Sequence, residues 1–495
     1  MSATLILSLI IGYFGILILI SFLTGKSTDS DTFFLANRKS PWYVVAFGMI
    51  GATLSGVTFV SVPGMVRDLQ FTYMQLVLGY LAGYVVIATV LLPLYYRLNL
   101  VSIYTYLDQR FGFWSYKTGA GFFLLSRTLG AAIRLFLVAS VLQLAVFDEM
   151  GIPFAVTVGI TILLIWAYTF RGGMKTIIWT DTFQTTAMLL AVGVSIWVVS
   201  DELNLGFQGM VDTISASEYG NVFNWEYKEN TYFLKQFFSG AFITIVMTGL
   251  DQDMMQKNLS CKNIGEAQKN MFWFSVILVV VNVMFLSLGA LLYLYASAKG
   301  IDLPARGDDV FPFLALNHFP AVVGIAFILG IIAIAYASAD SALTSLTTSF
   351  CVDFLNFKER NEHERVRLRY IVHIGFSVVM MLVILAVNEI NSQSLISTLL
   401  QVAGYTYGPL LGLYTFGLYT RRQVRDRFVP AICLVAPMLT YLISANSAEW
   451  FNGYTFGFEV LILNGFLTFV GLWAISFESG FSGFKSLPTP MDLQD

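Results

Sequence analysis

Charged residues are scarce in this sequence of 495 residues, since Asp, Glu, Lys and Arg together make up only 12%, against roughly 25% in an average soluble domain. A soluble protein of this length would need far more polar surface. The composition therefore excludes a soluble enzyme and a disordered protein. The net charge of −3 provides no basic field for phosphate backbones, so no nucleic-acid partner is expected.

Cysteine, histidine and nucleotide-binding motifs are also sparse. The three cysteines, Cys261, Cys351 and Cys433, are an odd number without CxxC spacing, which indicates neither a disulfide framework nor a zinc site. The three histidines are too few and too scattered for a metal cluster. The sequence has no GxxxxGK(S/T) loop, so neither ATP-driven pumping by this chain nor an organic cofactor is expected.

Apolar residues dominate instead, because 57% of the chain is hydrophobic and 15% is aromatic. A helix needs about 20 apolar residues to cross roughly 30 Å of hydrocarbon. The sequence contains thirteen such runs and predicts an all-α polytopic protein of the lipid bilayer. The runs lie at about 3–23, 42–66, 72–97, 117–147, 152–170, 176–199, 233–255, 269–298, 320–352, 368–388, 395–418, 429–446 and 457–476.

The distribution of Lys and Arg residues predicts the orientation of the chain in the membrane. With the N-terminus outside, 21 of these residues fall on the inner side and five on the outer side. We therefore expect the N-terminus outside and the C-terminus in the cytoplasm. The run at 3–23 has no preceding basic residues and no cleavage site, so it is expected to be a retained helix. Residues 477–495 are expected to form a tail.

Two of the predicted helices carry residues that disfavour a continuous helix in mid-membrane. Glycines and hydroxyl residues are dense at 48–58 in the second helix and recur at 240–251 in the seventh. Such residues favour local unwinding, and two interrupted helices at corresponding positions of two halves indicate an inverted-repeat transporter. The alternative is close packing of small residues against a neighbouring helix, and it stays open for Gly48 and Gly240.

Four stretches resemble the sodium:solute symporter family, which includes sodium-coupled carriers of glucose, proline, iodide and sialic acid. They are FFLANRKSPWYVVAFGMIGATLSGVTFVSVPG at 33–64, YTFRGGMKTIIWTDTFQ at 168–184, DQDMMQKNLSCKN at 251–263 and SADSALTSLTTSFCVDF at 338–354. The resemblance covers nearly the whole chain and implies a LeuT-type, five-plus-five inverted repeat. The implied parts are an extra helix at 3–23, a first repeat at 42–199, an inverted second repeat at 233–418 and two C-terminal helices at 429–476.

The resemblance also implies where sodium, the coupling ion, binds. One ion would lie between the unwound second helix and the ninth helix, where neutral oxygens suit this hard cation. The matching positions are the carbonyls of Gly51, Leu54 and Ile334 and the side chains of Ala337 and Ser338. Ala337 departs from the family pattern, which usually has a hydroxyl there. One ligand is lost, so we expect a weaker site, a water ligand or a shifted ion.

A second sodium ion binds nearby in some family members, and its matching positions here are Asp181, Asp340 and Ser341. Asp340 stands where a small hydroxyl residue is more usual. The two carboxylates are expected to hold a cation or a proton, because two close carboxylates do not easily both ionise. A structural hydrogen bond or ion pair is the alternative. Asp251 and Asp353 also match motifs, but helix capping or gate salt bridges are expected for them.

The solute is expected at the midplane beside the broken helices. The candidate contact residues are Thr53, Ser55, Thr58, Tyr73, Gln75, Thr244, Thr248 and Gln401. Arg127 and Arg134 lie seven residues apart, hence on about the same face of the fourth helix. They are expected either to recognise a carboxylate or other anion, or to form salt bridges with Asp340, Asp181 or another acid.

These expectations converge on a secondary active transporter. We expect sodium-coupled symport of a small polar organic solute, such as a sugar or sugar acid, by alternating access. The resemblance implies a bacterial inner membrane. The alternatives are a proton-coupled symporter that uses Asp340 and a solute sensor that does not transport. An enzyme is not expected, because no set of nucleophile, base and orienting residue is visible, and no obligatory protein partner is evident.

Overall fold

The computed structural model describes residues 3–24, 30–169, 173–355, 357, 360–390 and 395–478. Twenty α-helices build the described part of the chain. They are α1 (Ala3–Thr24), α2 (Ser30–Leu35), α3 (Trp42–Leu69), α4 (Tyr73–Val86), α5 (Leu92–Arg97), α6 (Thr105–Arg110), α7 (Phe113–Leu142), α8 (Phe154–Thr169), α9 (Gly173–Glu202), α10 (Phe207–Ala216), α11 (Phe233–Thr244), α12 (Gln252–Leu259), α13 (Ile264–Lys299), α14 (Val310–Asn317), α15 (Ala321–Phe354), α16 (Glu362–Ile390), α17 (Leu395–Tyr419), α18 (Val429–Ala445), α19 (Ser447–Trp450) and α20 (Val460–Ala474). Two short strands, β1 (Gln423–Val424) and β2 (Ser476–Phe477), pair antiparallel. Most of the predicted tail, from residue 479 onward, lies outside the described residues.

The prediction of an all-helical membrane fold is confirmed, and each of the thirteen apolar runs coincides with a helix or a joined helix pair. A π-helical segment, Ile87–Leu91, joins α4 to α5. Among the described residues, nine helices are long and apolar enough to cross a membrane, or ten if the bent pair of α11 and α12 is one span. α8 and α20 are shorter apolar helices. The number of thirteen membrane crossings therefore stays a prediction.

The second predicted helix, α3, is interrupted at mid-length, as expected. Ser55 has φ 41° and ψ 162°, which lies outside the helical region. A residue in this conformation does not continue an α-helix, and the last carbonyl groups of a helical segment have no partner within that segment. The break comes directly after Leu54, the residue whose carbonyl was predicted to face a cation.

The seventh predicted helix is also broken. A π-helical segment, Ile245–Gly249, follows α11, and the chain then bends by 65° before α12 begins. Asp251 caps α12, because its side chain accepts hydrogen bonds from the backbone N–H groups of Asp253 and Met254. Both predicted breaks are therefore present, and both lie in the interior of the protein.

The two glycines for which packing remained an alternative do lie in tight helix contacts. A Cβ atom on Gly240 would collide with the carbonyl oxygen of Leu76, and one on Gly79 would collide with that of Phe237. Gly48 lies against α9, where a Cβ atom would be 3.1 Å from the Cβ of Asp181. Small residues thus allow α4 and α11, and α3 and α9, to approach backbone to backbone.

Loops that were predicted to share one side of the membrane contact each other. The Arg67 side chain donates to the carbonyl oxygen of Ala305 at 2.6 Å. At the opposite end of the molecule, Arg110 donates to the carbonyl oxygen of Thr420 at 2.7 Å. These contacts agree with the relative placement of the loops. Which end faces the cytoplasm stays a prediction.

Candidate functional site

A central cavity of about 80 Å³ lies beside the break of α3. Its walls come from α3, α4, α7, α11, the π-helical segment Ile245–Gly249, α12, α13 and α17. The lining residues are Ala52, Thr53, Leu54, Ser55, Thr58, Tyr73, Tyr80, Tyr84, Arg127, Arg134, Ile243, Thr244, Met247, Thr248, Met254, Leu278, Asn282, Leu399 and Leu400. The structure therefore gathers eight of the ten predicted solute-contact residues around one cavity.

The two predicted glutamines do not line this cavity. Gln75 is fully buried in contacts with the segment before α11, where it donates to the carbonyl oxygen of Thr231 at 2.9 Å and accepts from the backbone N–H of Asn224 at 3.1 Å. Gln401 is exposed on the surface of α17. A buried amide needs several partners, and Gln75 finds them in the backbone of a connecting segment rather than in a solute.

Arg127 is held by carboxylates. It forms an ion pair with Asp253 and lies 4.0 Å from Asp251. Ser341 donates to the other oxygen of Asp253, and Tyr407 donates to Asp251. Arg127 therefore follows the salt-bridge alternative, but with acids at the start of α12 instead of Asp340 or Asp181.

Arg134 has a different environment, although it lies two helical turns further along the same face of α7. It is buried, with 6% of its surface exposed, and its Nη1 donates to the Ser338 hydroxyl at 3.2 Å. Among the described residues, no carboxylate lies within salt-bridge distance of Arg134, and its Nε has no hydrogen-bond partner. Within the described part of the chain, the observed side-chain hydrogen bond of the buried Arg134 cation is therefore to a neutral hydroxyl, that of Ser338.

The predicted first sodium site lies where α3 and α15 pack together. A Cβ atom on Gly56, next to the break, would be 3.9 Å from Ile334 Cγ2. Leu54 lines the cavity with Arg134, and Arg134 in turn contacts Ser338. The backbone N–H of Gly51 donates to Thr185 Oγ1 on α9 at 3.1 Å.

The set of oxygen ligands predicted for this first sodium site is incomplete on α15. Ala337 is fully buried and its methyl side chain offers no oxygen. Ser338 therefore supplies the single side-chain hydroxyl of the predicted set, and that hydroxyl already accepts a hydrogen bond from Arg134. Ala337 thus leaves one hydroxyl in the predicted set, and the Arg134 guanidinium lies beside that hydroxyl.

The acidic pair predicted for a second cation lies in a separate buried cluster. Asp181 Oδ2 pairs with Lys257 Nζ at 2.6 Å, and Asp340 Oδ2 accepts from the Tyr168 hydroxyl at 2.8 Å. The other oxygen of each carboxylate is buried without a hydrogen-bond partner among the described residues. Ser341 does not join this pair, because its hydroxyl points to Asp253.

Several members of this cluster escaped the sequence reasoning. Gln184 lies one turn beyond Asp181, and both of its side-chain polar atoms are buried without a partner in the described part of the chain. Tyr13 of α1 is buried with an equally unpartnered hydroxyl, and its ring packs against Phe183 with centroids 5.7 Å apart. Lys257 could have been found from the sequence, because it belongs to the Gln256-Lys257 pair in the motif at 251–263.

The comparison with family models decides what kind of protein has this arrangement. Residues 33–426 match the model of the sodium:solute symporter family, which is well over half of the chain. The chain belongs to the sodium:solute symporter family. It is therefore a multi-pass membrane transporter, not an enzyme, and sodium is its coupling ion, as the sequence predicts.

Curated relatives of this symporter share about a quarter of its residues. A sodium/sialic acid symporter of Aliivibrio fischeri is 25% identical over 464 residues, covering 90% of this chain and 88% of the relative. A sodium/sialic acid symporter of Proteus mirabilis is 23% identical, with 84% of both chains covered. The human sodium-coupled monocarboxylate transporter 1 is 26% identical, covering 80% of this chain and 65% of the relative.

Solved structures confirm the fold of the symporter. A substrate-bound, outward-open Na⁺-coupled sialic acid symporter superposes with a TM-score of 0.79 at 19% identity, covering 94% of this chain and 96% of that one. The nucleobase-cation-symport transporter Mhp1 superposes with a TM-score of 0.52 at 14% identity, covering 90% and 93%. These likenesses support the LeuT-type architecture that the sequence predicts.

The remaining motif acids of the symporter lie at helix ends, as expected. Asp251 caps α12. Asp353, near the end of α15, accepts hydrogen bonds from Ser102 at 2.9 Å and from Tyr116 at 2.8 Å. Both carboxylates therefore connect segments that are far apart in the sequence.

Proposed function

We propose that this symporter couples the uptake of a small solute that bears a carboxylate, such as a sugar acid or a related organic acid, to the entry of sodium. The observation that carries this proposal is Arg134, a buried cation on the cavity wall with no carboxylate partner among the described residues. A buried charge without a partner is costly in a membrane protein. A guanidinium also binds carboxylates by two parallel hydrogen bonds, so an anionic solute would compensate it.

The chemistry of the cavity and of the relatives supports an organic acid with further polar groups. Hydroxyl groups of Tyr73, Thr244 and Thr248 line the same cavity as Arg134, and they suit the hydroxyl or amide groups of a solute. The relatives are named for sialic acid and for monocarboxylates, which share a carboxylate.

We propose that sodium binds at the α3 break, to the carbonyls of Gly51, Leu54 and Ile334 and to Ser338. The other predicted positions, Ala337, Asp181, Asp340 and Ser341, are not assigned to this ion. We also propose alternating access between the repeats that the family resemblance implies, 42–199 and 233–418. We further propose a bacterial inner membrane, which the family resemblance implies. The distribution of Lys and Arg residues supports an N-terminus outside and a C-terminus in the cytoplasm.

Uptake into proteoliposomes that contain the full-length protein tests this proposal. Under an inward sodium gradient we expect uptake of labelled N-acetylneuraminate or of a short monocarboxylate, and none of glucose. Arg134→Gln should reduce uptake of the acid at least tenfold, and Ser338→Ala should weaken its dependence on sodium. Arg67→Gln, which removes one exposed charge at the loops, is the matched control and should retain uptake. Sodium-dependent uptake of glucose without uptake of acids would contradict the proposed solute class.

Proton coupling is the second candidate, and the cluster around Asp340 favours it. Asp181 and Asp340 bring two carboxylates to a buried site that contains one paired lysine, Lys257. One further positive charge, a proton or a second sodium ion, would balance the cluster. Uptake that persists when choline replaces sodium, follows an inward proton gradient and is lost in Asp340→Asn would establish proton coupling.

A further inference from the structure

The guanidinium of Arg134 donates a hydrogen bond to Ser338, which supplies the one side-chain hydroxyl of the predicted first sodium site. We propose that Arg134 and sodium compete for the Ser338 site, and that the carboxylate of the solute releases Arg134 from Ser338 so that sodium and solute bind together. This inference rests on the proposed function: its first half needs the proposed sodium site at Ser338, and its second half needs the proposed solute class.

Competition follows from the geometry at Ser338. Arg134 Nη1 is 3.2 Å from Ser338 Oγ, and both side chains are buried, with 6% and 1% of their surfaces exposed. A sodium ion bound to the same hydroxyl oxygen would lie within a few ångströms of the guanidinium. Two like charges at that separation repel strongly in a buried site, where the effective dielectric constant is low. The observed position of Arg134 and a bound sodium ion therefore exclude each other.

Arg134 is free to leave Ser338 because little else holds it. Its observed side-chain bond is to a neutral hydroxyl, and its Nε has no partner among the described residues. Arg127 provides the contrast, since it lines the same cavity but is fixed by Asp253 and Asp251. One arginine is thus a permanent part of the wall, and the other is available to a new anion.

Ala337 makes Ser338 the point of competition. A hydroxyl at that position would offer sodium a second side-chain ligand that Arg134 does not touch. With alanine there, the side-chain ligands predicted on α15 for this first site reduce to Ser338 alone. Occupation of that one hydroxyl by Arg134 therefore removes the whole side-chain contribution of α15 to the sodium site.

The competition would couple the two ligands of the symporter. A carboxylate in the cavity attracts the guanidinium more strongly than a hydroxyl does, so solute binding draws Arg134 away from Ser338 and leaves that oxygen to sodium. By thermodynamic reciprocity, sodium at Ser338 keeps Arg134 turned towards the cavity and raises the affinity for the solute by the same factor.

Sodium titrations of the purified full-length protein in detergent test the competition without any solute. Sodium-dependent thermal stabilisation reports the apparent affinity. Arg134→Gln removes the competing charge and should tighten sodium binding at least tenfold relative to the wild type. Ser338→Ala should abolish this gain in the double variant, and Arg67→Gln should titrate as the wild type. Arg134→Lys, which keeps a charge on a different side chain, should show a smaller gain and serves if the glutamine variant does not fold.

The results that overturn the proposal are equally specific. Sodium affinity that is unchanged or weaker in folded Arg134→Gln or Arg134→Lys contradicts competition. A wild-type protein that does not respond to sodium, with or without N-acetylneuraminate, while Arg134→Gln does respond, shows a permanent replacement of sodium instead of an exchange. Tighter sodium binding in Arg134→Gln, combined with no effect of any acid on the wild type, supports the competition and refutes the proposed solute class.

Discussion

The ion pair between Arg127 and Asp253 offers a direct measure of what holds α7 to the start of α12. Both side chains are buried, with 4% and 0% of their surfaces exposed. Removing one partner of such a pair leaves an uncompensated charge and typically costs about 3–5 kcal/mol. Asp253→Asn leaves Arg127 with Asp251 at 4.0 Å, so we expect the lower end of that range, about 3 kcal/mol. Arg127→Met leaves two buried acids facing each other and should cost about 5 kcal/mol.

The assay is reversible unfolding of the purified protein in one detergent, with the free energy of unfolding compared between variants. The double variant Arg127→Met with Asp253→Asn should be less destabilised than the sum of the single changes by about 2 kcal/mol, because the partners act as a unit. Asp68→Asn is the matched control, since it breaks an exposed pair with Arg67 and should change stability by less than about 0.5 kcal/mol. Additive effects, or equal effects at the buried and exposed pairs, would refute the reasoning.

Two further predictions concern the helix packing at Gly240 and the role of Gln75. Gly240→Ala should lower the free energy of unfolding by about 1–3 kcal/mol, because the new Cβ would collide with the backbone of Leu76. Gly12→Ala on α1, where a Cβ would meet nothing within 4 Å, is its control in the same unfolding assay and should be neutral or stabilising. Gln75→Ala should destabilise the protein by about 1–3 kcal/mol through its lost backbone partners, while solute affinity measured by thermal shift stays unchanged. A loss of solute affinity in a folded Gln75→Ala variant would return this residue to the binding site.

The helices and their breaks were accessible to sequence reasoning because local composition determines them. Apolar runs of about 20 residues identify membrane-crossing helices, and the density of glycine and hydroxyl residues around Ser55 predicts the interruption that the structure shows. The family resemblance implied how the helices divide into two repeats, and that division stays a prediction. These features depend on residues that are neighbours in the chain, so a single sequence contains the information.

The partners of the two arginines were not accessible in the same way. Arg127 pairs with Asp253, which is 126 positions away and follows a 65° bend. The direction of a side chain beyond such a bend cannot be read from helical periodicity. Ser338, the partner of Arg134, was expected to face sodium, and nothing local to either residue indicates that the two side chains meet.

The two predicted glutamines lie away from the residues that line the cavity. Gln75 and Gln401 were expected to contact solute because buried amides need partners. The structure buries Gln75 against a connecting segment and exposes Gln401 on α17. Neither glutamine therefore lines the cavity, and a contact of either one with solute stays a prediction.

The glycine contact between α4 and α11 bears on how the molecule moves. Gly79 and Gly240 bring the two backbones together with no side chain between them. No side chains at this contact can change rotamer, so one helix cannot easily slide along the other there. We expect α4 and α11 to move together as one rigid unit during the transport cycle, even though they come from different halves of the implied inverted repeat. Rocking between the halves would then have to take place at other helix pairs, where side chains form a deformable layer.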